Sequence, residues 1–594
     1  MSVRPHPLKT HSTKDLEGIA LPPARLHGHI PRSWFRDIRG AGYVAVAIQI
    51  NPFPPKNTDP DDNRAVMFRL CYLYDLARSA QFQTYVRRVA RAAHGCGLKF
   101  YLDCWEPSVP MAVWKMLPAN WRATINGQSQ PHNLCFRNQA AAEWYWRLVC
   151  EGIETVPDLD GFILGREDNV TRLCDATCPV CVARPPAERW AEFYATFRRV
   201  ATEARPKFEL VLYDWWWQNG DHQAILSRLS RGTALITRFE TNLKPLDHPA
   251  FVSTEQLSND VNLSVAEPTE DAQDLIQVAR KRAAKLYAMI PFLGPIECFF
   301  QPYALAPRLY ARKLDGLRRE RFAGWMDYDC GGADYGMTLD LLREVKAHPQ
   351  AGTDVWVERM LTKRYGLRLS TVMAEVTRHF ERVIELFPVD LFTRDCRLLH
   401  AAGYVLGLCI GTPLRPADAW AACTDREWPA SRPGHDPHNY FAPRSHARLL
   451  QRLPLLLEHQ NAGMKLLNMV KTGNKNFLRD RSIAAAYTCV LRSAWHFMAM
   501  GDQVQWVRKE RQIIPARLAE LAVLVELEVE NVKAFARLAR EDSALFTNST
   551  WNSYLCLKRN DARLPDGPAV WDAKIRLLQA IHWEEKLTDL LKQN

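Results

Sequence analysis

Ala41–Ile50 reads AGYVAVAIQI, a near-continuous apolar run that predicts a strand buried on both faces, as in the parallel sheets of α/β folds. A helical segment follows around Arg64–His94. Gly95–Gly97 stops it, and GLKFYLDCW (Gly97–Trp105) is the second strand. Leu134–Phe136 is a weaker third candidate. The helix Asn138–Glu154 leads into LDGFILGRED (Leu159–Asp168), and the helix Ala187–Glu203 into KFELVLYDWWW (Lys207–Trp217). TALITRFE (Thr233–Glu240), KLYAMIPF (Lys285–Phe292) and RFAGWMDYD (Arg321–Asp329) complete the set. Strand and helix in alternation require parallel pairing with helical crossovers, and about eight such repeats over roughly 300 residues suit a closed (β/α)8 barrel. The competing open, doubly wound sheet lacks its phosphate turn: the first strand runs into NPFPP (Asn51–Pro55), with no glycine fingerprint.

Beyond about Gln350 the strand signal fades. Segments such as VMAEVTRHFERVIELF, IAAAYTCVLRSAWHFMAM and PARLAELAVLVELEVENVKAFARLA repeat apolar residues at three- and four-residue intervals, which predicts helices. The expected class is therefore α/β, a (β/α)8 TIM-like barrel followed by an all-α C-terminal domain. The division is an N-terminal segment 1–39, a barrel 40–350 and helices 351–594. Cys423–Pro443, rich in Pro, His and aromatics, is too long for a helix hairpin and reads as a surface loop or a lid.

The 594 residues are 47% hydrophobic, 24% charged and 10% aromatic, which excludes disorder, collagen and disulfide-stapled miniproteins. The formal charge is +11, yet the acids are interleaved with the bases. The densest basic stretch, Arg308–Arg321, carries Leu309, Leu314 and Leu317 at helical spacing, so it reads as one solvated helix face and not a nucleic-acid surface. A mild preference for anionic ligands is compatible with the surplus. No run approaches the roughly 18 apolar residues of a spanning helix, so no membrane partner is expected. The N-terminus lacks the apolar core of a secretory signal, and the 15 cysteines are scattered in apolar segments; both point to a reducing cytoplasm. Oligomeric state is left open, with a homodimer as one option.

In a barrel of this kind ligands are handled where the strands end. The residues there are Asp103, Trp105 and Glu106; Arg166, Glu167 and Asp168; Asp214 and Trp215; Arg238 and Glu240; Glu297; and Trp325 and Asp327. Carboxylates accompanied by tryptophans suggest carbohydrate chemistry. Cleaving an acetal needs one carboxylic acid to protonate the leaving oxygen and one carboxylate as nucleophile or base. Flat aromatic faces take the C–H face of a sugar, while acids and arginine take its hydroxyls. Strand-end acids also cap loops in any barrel, which accounts for part of such a set.

Glu167 is the first choice for the acid: it opens a long loop between Arg166 and Asp168, where an arginine can hold one carboxylate ionised while the other's pKa rises. Glu297 is the second carboxylate, in an aromatic segment after the seventh strand. The same loop continues LCDATCPVC. Cys174, Cys178 and Cys181, with Cys135 or His132 as a fourth, have the makings of structural zinc, but no second CxxC pair is visible. Buried thiols shaping the loop are therefore the reading from sequence, with no metal and no cofactor in the reaction.

WEP after the second strand, NLCFRN before a helix, LDGFILGREDN followed by CPVC, YDWWW, IECFFQPY, and GWMDYDCGG leading to TKRYG resemble, in that order, barrel proteins allied to alpha-glucuronidases and beta-N-acetylhexosaminidases. The likeness covers about Gly40–Gly366. It implies a glycoside hydrolase with an acid at the end of the fourth strand, Glu167, and a later acid, Glu297 or Asp214, completing the site; exo action is expected from the long loops and the C-terminal segment, either of which can close one end of a cleft, and the expected substrate is an oligosaccharide with uronic acid or N-acetylated sugars. The hexosaminidase pattern has Asp then Glu there. This chain has Glu167 then Asp168, so either of the pair can be the acid.

Two other classes compete. A non-catalytic carbohydrate-binding barrel would keep the aromatic platform without the chemistry. A metal-dependent amidohydrolase would need histidines at strand ends, but His27 and His29 precede the first strong strand, and His132, His222 and His248 follow none. Cys104 and Cys298 have no nucleophile signature and read as buried thiols.

Overall fold

The computed structural model describes residues 16–22, 29–49, 73–165, 173–215, 217, 221–228, 233–239, 263–282, 285–290, 292, 303–327, 336–387, 443–542, 575–576, 578–580 and 582–592. Ten strands occur among them: β1 (Glu17–Ala20), β2 (Tyr43–Ile48), β3 (Lys99–Trp105), β4 (Arg122–Ile125), β5 (Gln128–Leu134), β6 (Gly161–Gly165), β7 (Glu209–Tyr213), β8 (Ala234–Arg238), β9 (Lys285–Ile290) and β10 (Gly324–Asp327). Eight of them close a barrel in the order β1-β2-β3-β6-β7-β8-β9-β10, every neighbour parallel and β10 returning to β1.

Helices fill the crossovers, and several begin where the sequence supplies a cap. Ser79 accepts from the Phe82 amide at 3.3 Å to start Ala80–His94, which splits the single helix expected over Arg64–His94. Asn138 accepts from the Ala141 amide at 3.1 Å to start Gln139–Thr155, and Pro186 opens Pro186–Ala204. Pro307–Arg319 buries Leu309, Leu314 and Leu317, as their spacing implies, but the basic stretch is not simply a solvated face: Lys313 is fully buried, and Arg308 and Arg312 pair with Glu381 and Glu385.

Two strands differ from expectation. The first barrel strand is β1, from the segment ahead of Gly40; its short EGIA sequence becomes a strand through pairing with β2 and β10. Leu134–Phe136 contributes no barrel strand: Leu134 ends β5, which pairs antiparallel with β4 in a separate hairpin. The turn is Asn126-Gly127, both with positive φ (52° and 75°), which suits a tight two-residue hairpin because glycine carries no Cβ and asparagine tolerates that region.

The interior is layered. At the N-terminal mouth the side chains of Glu17 (β1), Tyr101 (β3), Glu209 (β7) and Tyr287 (β9) come from alternate strands, the arrangement that fills a barrel of this size with side chains. Tyr101 donates to Glu209 at 2.7 Å and Tyr287 to Glu17 at 3.0 Å, while Lys99 and Lys285 pair with the same two carboxylates.

After the barrel come helices Thr353–Tyr365, Leu367–Leu386, Pro443–Met469, Lys475–Glu510, Pro515–Glu541 and Trp583–Lys592. They pack onto the barrel through buried polar contacts as well as apolar side chains. Asp480, fully buried, accepts from Arg364 Nε at 3.1 Å and from the hydroxyls of Tyr303 and Tyr365; Arg364 also reaches Asp340 at 2.6 Å. One apolar core runs from the barrel strands into these helices. No helix among the described residues is long and apolar enough to cross a membrane. The loop expected at Cys423–Pro443 lies, apart from Pro443, outside the described residues.

Candidate active site

The C-terminal ends of the strands define the opposite mouth. Of the residues expected there, Arg166, Glu167, Asp168, Glu240 and Glu297 lie outside the described residues, as does the side chain of Trp105. The others fall into groups with different chemistry.

Asp327 is the last residue of β10 and fully buried, and its Oδ2 accepts from the Tyr43 hydroxyl at 2.7 Å, across the intervening β1. Two residues earlier on the same face stands Trp325, packed edge-on against Tyr43 with centroids 5.3 Å apart and against Phe292 at 5.4 Å. The space for these rings comes from β1. A Cβ on Gly18 would lie 2.6 Å from Tyr43 Cδ1 and 2.7 Å from Trp325 Cζ2, so a side chain there would displace both rings. Asp103 on β3 stands two residues beyond Tyr101, hence on the same interior face and nearer the C-terminal mouth; it is 1% exposed.

Trp215 follows β7 and stacks obliquely on Tyr213 at 5.7 Å, with the Arg238 guanidinium 6.0 Å from its ring centre. Together they offer an aromatic face beside a cation, a pairing suited to an anionic or hydroxyl-rich ligand.

Two carboxylates of the expected set are held by the protein itself. Glu106 accepts from the amides of Leu73 (3.2 Å) and Ser108 (2.6 Å) and from the Tyr145 hydroxyl (2.8 Å), which ties the segment after β3 to the start of one helix and the middle of another. Asp214 meets His222 Nε2 at 3.1 Å and the Thr237 hydroxyl, and so joins β7, β8 and the helix Asp221–Arg228. Both are buried among donors and act as struts under the mouth.

Sequence reading missed Tyr43, although a phenol heading the otherwise aliphatic strand YVAVAI is itself a signal. It also left His222 unassigned; the structure gives it to Asp214. Histidines form no metal cluster among the described residues: His132 Nδ1 lies 2.9 Å from the Val109 carbonyl, and the one potential metal group brings together Cys135, Cys174, Cys178 and Cys181. The three loop thiols thus meet Cys135, and not His132, as their fourth member.

No protein-family model matches the chain, and no curated protein sequence does either. Solved structures do share its fold. One is a GH138 enzyme targeting the pectin rhamnogalacturonan II, superposed with a TM-score of 0.56 at 9% identity over 95% of this chain and 66% of that one. Another is the family 89 glycoside hydrolase from Clostridium perfringens in complex with 2-acetamido-1,2-dideoxynojirmycin, with a TM-score of 0.51 at 11% identity over 97% of this chain and 66% of that one. This chain thus spans slightly less than two thirds of either, and at such identities the likeness is one of fold: barrel and C-terminal helices together take the shape found in these glycoside hydrolases.

Proposed function

We propose that the protein is a glycoside hydrolase, exo-acting on a glycan that contains uronic acid or N-acetylated sugars. The observation that carries this reading is the C-terminal mouth of the closed barrel, where Asp327 with Tyr43, Asp103, and Trp215 beside Arg238 supply buried carboxylates next to aromatic faces. The fold shared with glycoside hydrolases supports it. Glu167 follows β6, the fourth strand of the barrel, by two residues in sequence, and strand-end segments of such barrels supply catalytic residues. In this reading Glu167, with Asp168 as its neighbour, protonates the leaving oxygen. Glu297, from the segment after the seventh strand, serves as nucleophile or as base toward water. Trp215, Trp325 and Trp105 pack against the sugar, and Arg166, Arg238, Asp103 and Glu240 take its hydroxyls or carboxylate, over a floor braced by Glu106 and Asp214.

A panel of nitrophenyl glycosides and uronide oligosaccharides tests the proposal. Turnover of at least one member is expected, with kcat lower by about 1,000-fold or more in Glu167→Gln at unchanged thermal stability. Glycan binding without turnover, untouched by both Glu167→Gln and Glu297→Gln, would instead establish a carbohydrate-binding protein.

A further inference from the structure

The four thiols gathered beside the barrel belong to two distant stretches of chain. Cys135 directly follows β5 of the hairpin, while Cys174, Cys178 and Cys181 sit in the turns ahead of the helix Pro186–Ala204. All four sulfurs lie within 4.8 Å of one another, and Cys135 Sγ stands 4.0 Å from that of Cys178 and 3.6 Å from that of Cys181. A tetrahedron with metal–sulfur bonds of about 2.3 Å has sulfurs about 3.8 Å apart, whereas a disulfide needs about 2.05 Å. We propose that Cys135, Cys174, Cys178 and Cys181 bind one structural zinc ion that clamps the loop after β6 to the β4–β5 hairpin.

Two further observations bear on this. The four cysteines and Ala123 form a small buried cluster apart from the main apolar core, which brings the two loops together through thiols. The backbone around it is laced for a fixed geometry. Asp175 donates its amide to the Thr124 carbonyl at 3.0 Å and accepts at its carboxylate from the Asn126 amide at 2.7 Å, and Thr177 Oγ accepts from the Gly127 amide at 2.8 Å.

Binding releases the four thiol protons to solvent and forms four sulfur–zinc bonds with no change of oxidation state, leaving a site of charge 2−. The Arg189 side chain, which donates to the Asp175 carbonyl at 3.1 Å and lies against the Cys181 carbonyl at 3.5 Å, places a cation beside it. All four positions are filled by protein, so the ion carries structure and offers no open site for substrate. Cys174 is seven residues beyond Glu167, so the clamp fixes one end of the segment that leaves β6.

The full-length protein, expressed with zinc and dialysed against EDTA, is expected to carry about one zinc per chain by elemental mass spectrometry. Cys135→Ser and Cys181→Ser should each fall below about a fifth of that, with a lower Tm, while Cys150→Ser, outside the cluster, keeps it. The unmutated protein loaded with cobalt(II) should show the intense visible bands and sulfur-to-metal charge transfer of a tetrahedral tetrathiolate, a readout that needs no variant to fold. The proposal is overturned by wild-type protein without metal, by iron in place of zinc, by a disulfide among the four, by an octahedral cobalt spectrum, or by zinc that survives both substitutions.

Discussion

At the N-terminal mouth of the barrel, Glu17 and Glu209 each take a tyrosine hydroxyl and a lysine, from Tyr287 and Lys285 and from Tyr101 and Lys99. At the C-terminal mouth the acids stand among tryptophans. Among them Glu106 is met by the Leu73 and Ser108 amides and the Tyr145 hydroxyl, and Asp214 by His222 and the Thr237 hydroxyl. Neither mouth is short of carboxylates; what separates them is their surroundings, lysine and tyrosine at one end and tryptophan and tyrosine at the other. In the proposed reading the carboxylates of the N-terminal mouth hold the fold, while Asp327, buried beside Tyr43 and Trp325 in an aromatic setting, acts on the substrate. Strand position alone does not make this distinction, because Glu106 and Asp214 end strands as well.

The largest test of the contrast falls on Asp327. Asp327→Asn keeps size and an acceptor for Tyr43 but removes the charge, and kcat/KM on the best substrate of the panel should drop by about 100-fold while Tm moves little. Activity within about threefold of wild type would place Asp327 with the struts. A matched pair of phenol deletions comes next in size. Tyr43→Phe should cost about tenfold in kcat/KM through the loss of one hydrogen bond to that carboxylate, and Tyr101→Phe, the same change at the other mouth, should cost about 1 kcal/mol of stability and no activity. If the two substitutions behave alike in both assays, the division of labour between the mouths is wrong.

Seven of the eight barrel strands were legible from apolar runs bounded by turns, because a strand buried on both faces writes its burial into consecutive residues. β1 was not: in EGIA the tendency to extend comes from the β2 and β10 edges on either side, which no local window contains. Leu134–Phe136 was counted in its place, so two errors cancelled, and Leu159–Asp168 remained fourth and Lys285–Phe292 seventh. The hairpin carrying Leu134 had its own local sign, the Asn126-Gly127 turn, which outranks a three-residue apolar run as a strand signal. Of the expected site residues, Asp103 and Asp327 could be placed near the C-terminal mouth because they lie near or at the ends of β3 and β10. The bracing of Glu106 and Asp214 could not be foreseen, since Leu73, Tyr145 and Thr237 lie more than twenty residues from the acids they serve. The fourth cysteine was foreseen only as one of two options, because the choice between Cys135 and His132 depends on which way the chain leaves β5.

The smallest effect concerns acid stability at the N-terminal mouth. Burial pushes Glu17 upward, but Lys285, with help from the Tyr287 hydroxyl, outweighs it and holds the carboxyl below its ordinary value. A carboxyl with a depressed folded pKa contributes stability that is present above its unfolded value, near pH 4.5, and is lost as the pH falls through the folded one. The pair is partly open to solvent, Lys285 at 46% and Glu17 at 37% side-chain exposure, so screening keeps its contribution within about 1 kcal/mol. Glu17→Gln should therefore lower Tm slightly at pH 7, by an amount that shrinks toward zero below about pH 4, with activity at pH 7 unchanged. A deficit of equal size at both pH values would mean that Glu17 acts through packing and not charge, and a loss of activity would mean that the N-terminal mouth is coupled to the chemistry at the other end.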